Sequence, residues 1–433
     1  MSESIRARPG TPFAGPAADS PAAVLLADAR SEAPNTGGGG AAAVPYGVVT
    51  PEEWARLART VLGRSLRLRR GQSVIIESWT HGLPAAEVFA VEARRLGLRP
   101  LLLYESERSF FDAQAKARPQ DAAAIGDAEL AAVAATDAYV YLPGPEDLDR
   151  WNRLPEANRR ALDRWIVEWS RVVQRHAVRG AYLHIGSATP SAAERLGVDV
   201  AQWQREALEG TFVDPRTFRR AGRPLTDRLA RGRRVSITHP NGTHLDLGLA
   251  GYRPILQDGT INARDTHEGR SWAVLPGGYV LVALDDRVAE GVFLANRPSR
   301  HRRGVEAGAR WTFRGGRLVD HTFEEGQPIF EESYEGATKE RDRPAVLSIG
   351  LNPKVHDAPL LADQELGVVT VYIGRNDDYG GRTRGAFRDY ALIEGATVTV
   401  DDRPIVRDGR LVGTSGGSRG AVAPATATAR EPP

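Results

Sequence analysis

The chain has 433 residues, enough for two or three domains or one large one, and its 41% apolar and 26% charged residues are an ordinary balance for a globular protein with a buried core. Its 57 basic and 55 acidic residues leave a net charge of +2, no bulk charge with which to hold a polyanion. Cysteine is absent, which excludes disulfides, thiolate zinc sites, iron–sulfur clusters and a cysteine nucleophile together.

Residues 1–45 are rich in Pro, Ala, Gly and Ser, with too few large apolar side chains to offset the entropy of ordering. A disordered leader is expected there, and a similar tail over 413–433. The best apolar run near the start, Ala22 to Ala27, is too short for a signal-peptide core, and no window of eighteen apolar residues exists. A cytoplasmic protein without membrane or nucleic-acid partners is the expectation.

From Thr50 the pattern Thr-Pro-Glu-Glu reads as a helix start, with Thr50 as N-cap, Pro51 at the first position and Glu53 as capping-box partner. Trp54, Leu57, Ala58, Val61 and Leu62 continue an apolar stripe at helical spacing. Gln72 to Glu77 reads as a strand, Pro84 to Leu96 as a helix closed by Gly97, and Pro100, Ala138 and Gly180 open further strands. This alternation predicts an N-terminal α/β domain over 46–216 with a parallel, doubly wound sheet. An arginine-rich connection is expected over 217–234. A β-rich α+β C-terminal domain is expected over 235–412, from short strands punctuated by Asn241-Gly242, Gly277-Gly278, Gly315-Gly316 and Asp408-Gly409.

Chemistry-bearing residues are sparse. Asn241-Gly-Thr-His244-Leu-Asp246 puts His244 and Asp246 on one strand face, and reads first as the solvent side of a hairpin. Asp265-Thr-His267-Glu268 lies in a Gly-rich loop and reads first as a solvated loop, with Asp265 and His267 as candidate substrate contacts and the first donors to consider if a metal is present. Arg297, Arg300, Arg302 and Arg303 cluster around His301 without interleaved aromatics, which reads as a solvated basic loop. There is no phosphate loop and no Gly-x-Ser-x-Gly elbow.

An ordered series of segments resembles the aminopeptidase T family of metallopeptidases from about Thr50 to Val412. It comprises Leu68 to Glu77, Gly97 to Leu101, Asn241 to Asp246, Pro276-Gly-Gly278, Glu290-Gly291, Phe313 to Arg317, Ile349-Gly-Leu-Asn-Pro353, Gly380 to Thr383 and Asp408 to Leu411. The resemblance implies that family's two-domain architecture, a homodimer with a cleft between domains and partner subunit, and a two-metal site of glutamates, histidines and an aspartate in the C-terminal domain. It also implies that the ligands are substituted. Tyr279 stands where a Glu should follow Pro-Gly-Gly, Val346 where a second Glu is expected, and no His occurs around Thr370 to Tyr372. The family's His-x-Asp falls on Arg388-Asp389-Tyr390. Related ring-opening dihydroxypyridine dioxygenases carry a His before Pro-Gly-Gly, and Trp272 to Leu275 holds none.

Val and Tyr side chains do not hold a divalent ion, so no metal cofactor is expected there. Tyr279, Tyr379, Arg388, Asp389 and Tyr390 are the expected pocket residues, with Arg388 binding a carboxylate or an amino-acid derivative. The opposing reading is a dead site packed by tyrosine and closed by an Arg–Asp pair. Three functions follow: a repurposed protein that binds or modifies a peptide or amino-acid-derived small molecule, a working metal-dependent aminopeptidase with ligands elsewhere, or a partner-binding pseudoenzyme.

Overall fold

The computed structural model describes residues 47–337, 340–385 and 387–413. The leader expected over 1–45, and all but the first residue of the expected tail, lie outside the described residues. Among the described residues, no helix is long and apolar enough to cross a membrane.

Helix Pro51–Arg59 begins as read. Thr50 Oγ1 accepts from the Glu53 amide at 3.2 Å, and the Glu53 carboxylate accepts from the Thr50 amide at 2.9 Å. The chain continues as a π-helical stretch Thr60–Ser65. Five parallel strands then form one sheet in the order Arg99–Glu105, Ser73–Trp79, Ala138–Leu142, Arg179–Leu183, Trp272–Leu275. One face (Val74, Ile76, Val140, Leu142, Ala181, Leu183) packs with helices Pro51–Arg59 and Leu83–Arg95 through Leu57, Phe89 and Ala93. The other face meets helices Asp127–Ala134 and Glu156–Arg175 through Val133, Trp169 and Val173. The last strand is a departure from the expected division at 216. The chain leaves for the β-rich region and returns, because Ala273 and Leu275 complete the apolar sheet face beside Ala181 and Leu183.

Most of the arginine-rich connection expected over 217–234 is helix, within Pro215–Arg231. Asp214 caps it, Pro215 takes its first position, and Phe218, Leu225 and Leu229 form a buried stripe. Gly222 lets that stripe approach Leu256, Val280 and Leu351 closely, since a Cβ there would lie 2.6 Å from Leu256. The internal Pro224 costs one helical hydrogen bond, and burial of the stripe outweighs it.

Besides one two-stranded hairpin, the remaining strands make an eight-stranded and a five-stranded sheet, every registered pair antiparallel. Arg234–Thr238 pairs with His244–Gly248 in one hairpin, and Arg310–Arg314 with Arg317–Thr322 in another. Leu245, Phe293 and Trp311 from the larger sheet pack against Val282, Leu347 and Val371 from the smaller, a sheet-on-sheet core. The smaller sheet runs Arg388–Ile393, Val369–Gly374, Pro344–Gly350, Tyr279–Ala283, Ile255–Gln257. Its second face carries Tyr279, Val346, Arg388 and Tyr390.

Candidate functional site

Strand alternation and register place Tyr279, Val346, Thr370, Arg388 and Tyr390 on that one face: Val346 lies opposite Tyr372, Tyr372 opposite Tyr390, and Gly350 opposite Tyr279. The face is packed. Tyr279, Val346, Tyr372 and Tyr390 belong to one buried apolar cluster with Tyr379 against it, and the Tyr372 and Tyr390 rings lie 5.4 Å apart. Tyr372 donates its hydroxyl proton to Asp363. Arg388 pairs with Asp378 at side-chain exposures of 1% and 4%, donates to the Arg375 carbonyl and lies over the Tyr379 ring at 4.9 Å. The expected partner, Asp389, projects to the opposite face, so the Arg388–Asp389 pairing is corrected. None of the five expected pocket residues lines the larger of two described cavities, and Tyr390 alone borders the smaller, about 20 Å³.

Asp389 meets the hairpin Ser299–His301 and Gly304–Glu306. His301 Nε2 is 3.3 Å from both Glu306 Oε2 and Asp389 Oδ1, and Arg303 reaches Asp389 Oδ2 at 3.2 Å. His301, Glu306 and Asp389 are all buried, with ligand-type atoms within 4.8 Å of one another. This one-His, two-carboxylate set has donors suited to a divalent ion. A protonated His301 with Arg303 balances the same two carboxylates without one. Burial disfavours that proton, but Asp389 and Glu306 together raise the imidazole pKa above its ordinary value. Sequence reading missed the set, because His301 and Glu306 meet Asp389 only through tertiary folding.

The basic segment is not a solvated loop. Arg297 pairs with Asp357 at 2.8 Å, Glu365 at 3.0 Å and Glu394 at 2.9 Å, and Arg300 pairs with Asp357 at 2.7 Å. Their acidic partners are distant in sequence, so nothing local signals the pairing. Arg302 is buried and donates to the Gly144 carbonyl at 3.1 Å. Asp265 lies in the short helix Ala263–His267, held by Arg270 at 2.5 Å, which also holds Glu268 at 2.9 Å. Asp265 and His267 line neither described cavity. Asp246 pairs with Arg234 and Ser236 across its hairpin, the bland outcome for that segment.

A cavity of about 610 Å³ lies on the second face of the parallel sheet. Glu77, Trp79, Tyr139, Tyr141, Tyr182 and Trp272 form its floor, because alternate residues of four parallel strands share that face. Phe110, Trp151 and Trp169 from the covering helices complete an aromatic wall. Tyr139 meets Trp169 edge to face at 4.9 Å, and Phe110 stacks on Trp151 at 5.8 Å. Two glycines make room: a Cβ on Gly180 would lie 2.4 Å from the Trp272 ring, and one on Gly144 would lie 2.3 Å from Trp79.

The cavity carries charge of both signs. Tyr139 donates to Glu77, whose carboxyl is pushed up to about 7 by burial, with Glu129 and Glu105 adding repulsion. Arg302 enters from the hairpin of the β-rich region and lies beside Tyr182 and Tyr141; burial lowers its pKa. Sequence reading passed over these residues, since an aromatic in a buried strand reads as core.

No family model and no curated protein matches the chain. Solved structures that share its fold include wild-type AmpT from Thermus thermophilus, with TM-score 0.63 and 18% identity, covering 83% of this chain and 99% of that one. They also include 2,5-dihydroxypyridine dioxygenase from Pseudomonas putida KT2440, with TM-score 0.56 and 14% identity, covering 85% and 99%. At these identities the likeness establishes architecture alone, and that architecture is aminopeptidase T-like.

Proposed function

We propose that this protein is a repurposed aminopeptidase T-like protein that binds or modifies a peptide or amino-acid-derived small molecule without the two-metal centre of that family. One observation carries the reading. The sheet face bearing Tyr279, Val346, Thr370, Arg388 and Tyr390 is filled by a tyrosine cluster and the buried Arg388–Asp378 pair. Apolar and phenolic side chains there replace the carboxylates and imidazoles that a metal requires. The ligand's place is then the aromatic cavity on the parallel sheet. The expected assembly is a homodimer, tested by light scattering on the purified chain; a monomer at micromolar concentration would overturn it.

The activity test is release of a chromogenic amine from leucyl and other aminoacyl substrates, with and without cobalt or zinc. No metal-stimulated release is expected, and a clear rate would overturn the reading. The competing aminopeptidase reading draws on the His301, Glu306 and Asp389 donor set. Elemental analysis of protein purified without chelator separates the two, since a stoichiometric transition metal favours the second.

A further inference from the structure

We propose that the cavity on the parallel sheet binds a short zwitterionic peptide or amino-acid conjugate, its free ammonium at Glu77 and its free carboxylate at Arg302, with an aromatic or apolar body between them. This rests on the reading above and names its ligand class.

Register sets the distance between the two poles. Glu77 lies opposite Tyr141 on the next strand, and Tyr141 lies opposite Tyr182 on the strand after. With neighbouring strands about 4.8 Å apart, Glu77 and Tyr182 are separated by about 10 Å of backbone. The charges follow the same row. Glu77 and Glu129 act on Tyr139, Arg302 acts on Tyr182, and Tyr141 between them feels both Glu77 and Arg302. One end of the cavity is therefore acidic and the other cationic.

A single amino acid has its ammonium and carboxylate on one carbon and does not bridge such poles. Each added residue extends the chain by up to about 3.5 Å, so two or three residues fit. The volume of about 610 Å³ is ample for such a ligand. Tyr139, Trp169 and Trp272 offer ring faces and edges to an aromatic side chain, and their π-faces also favour the ammonium. Burial magnifies both charge contacts relative to water.

The test uses the full chain and phenylalanyl-phenylalanine, its N-acetyl form, its C-terminal amide and free phenylalanine, titrated by calorimetry. The parent dipeptide should bind at least about tenfold more tightly than each of the other three, as the loss of one charge-assisted contact predicts. Glu77→Gln should erase the preference over the acetylated form, with circular dichroism checking the fold. Equal affinity for capped and free peptides, or no saturable binding, would overturn the proposal on the unaltered protein. Chromatography of the same mixtures with added cobalt keeps the two claims apart. Metal-dependent release of phenylalanine sinks the proposed function whatever the affinities, whereas flat affinities without hydrolysis sink only the ligand assignment.

Discussion

Arg388 reads from the sequence as the residue that binds a carboxylate. In the structure its guanidinium is buried against Asp378, so Arg388→Ala leaves a carboxylate without its charge partner inside the protein. The expected cost is about 3–5 kcal/mol by urea denaturation. Removing both charges, as Arg388→Met with Asp378→Leu, should recover most of it. A loss below about 1 kcal/mol for the single change would show the pair to be dispensable. Glu77 makes a pH prediction. Its carboxyl titrates near 7 in the folded protein and near 4.5 when unfolded, so the native state holds a proton that the unfolded chain has released between those values. Stability therefore falls as pH rises from about 4.5 to 7, and Glu77→Gln should flatten part of that slope in denaturation curves. Glu105 and Glu129 face Glu77 and push the same way, with Tyr139 opposing. Glu365, also raised to about 7 by burial, supplies a slope that the substitution leaves in place. An unchanged profile would show that Glu77 ionises freely.

Local signals made some elements legible in the sequence. Thr50, Pro51 and Glu53 announce a helix start because the capping box needs only neighbours, and Thr50→Ala should cost about 1 kcal/mol. Ala138–Leu142 reads as a strand from its β-branched and aromatic run. Pro215–Arg231 was obscured by its arginines and Pro224, although Asp214-Pro215 and the Phe218, Leu225, Leu229 stripe were present. The aromatic floor shows what pairing adds. Gly180→Ala should drive Trp272 off the sheet, costing about 1–3 kcal/mol and altering the near-ultraviolet dichroism. Gly63→Ala, where a Cβ meets nothing within 4 Å, is the control expected to be neutral or stabilising. If both substitutions behave alike, Gly180 does not shape the wall.

For the whole molecule, the proposed absence of a metal centre predicts a melting temperature unmoved by chelator; a clear fall would implicate a structural ion, with His301, Glu306 and Asp389 the donors to mutate. The sequence by itself determined the alternation of strand and helix and the later turn-punctuated strands. Each of these depends on residue type and spacing along the chain. Only the tertiary structure decided that Trp272–Leu275 returns to the parallel sheet, that Asp389 faces His301 rather than Arg388, and that Arg302 enters a cavity walled by the other half of the chain. The reason is physical. Strand partners, ion-pair partners and cavity walls join residues tens to hundreds of positions apart, and the sequence leaves no periodic trace of which distant side chains will meet.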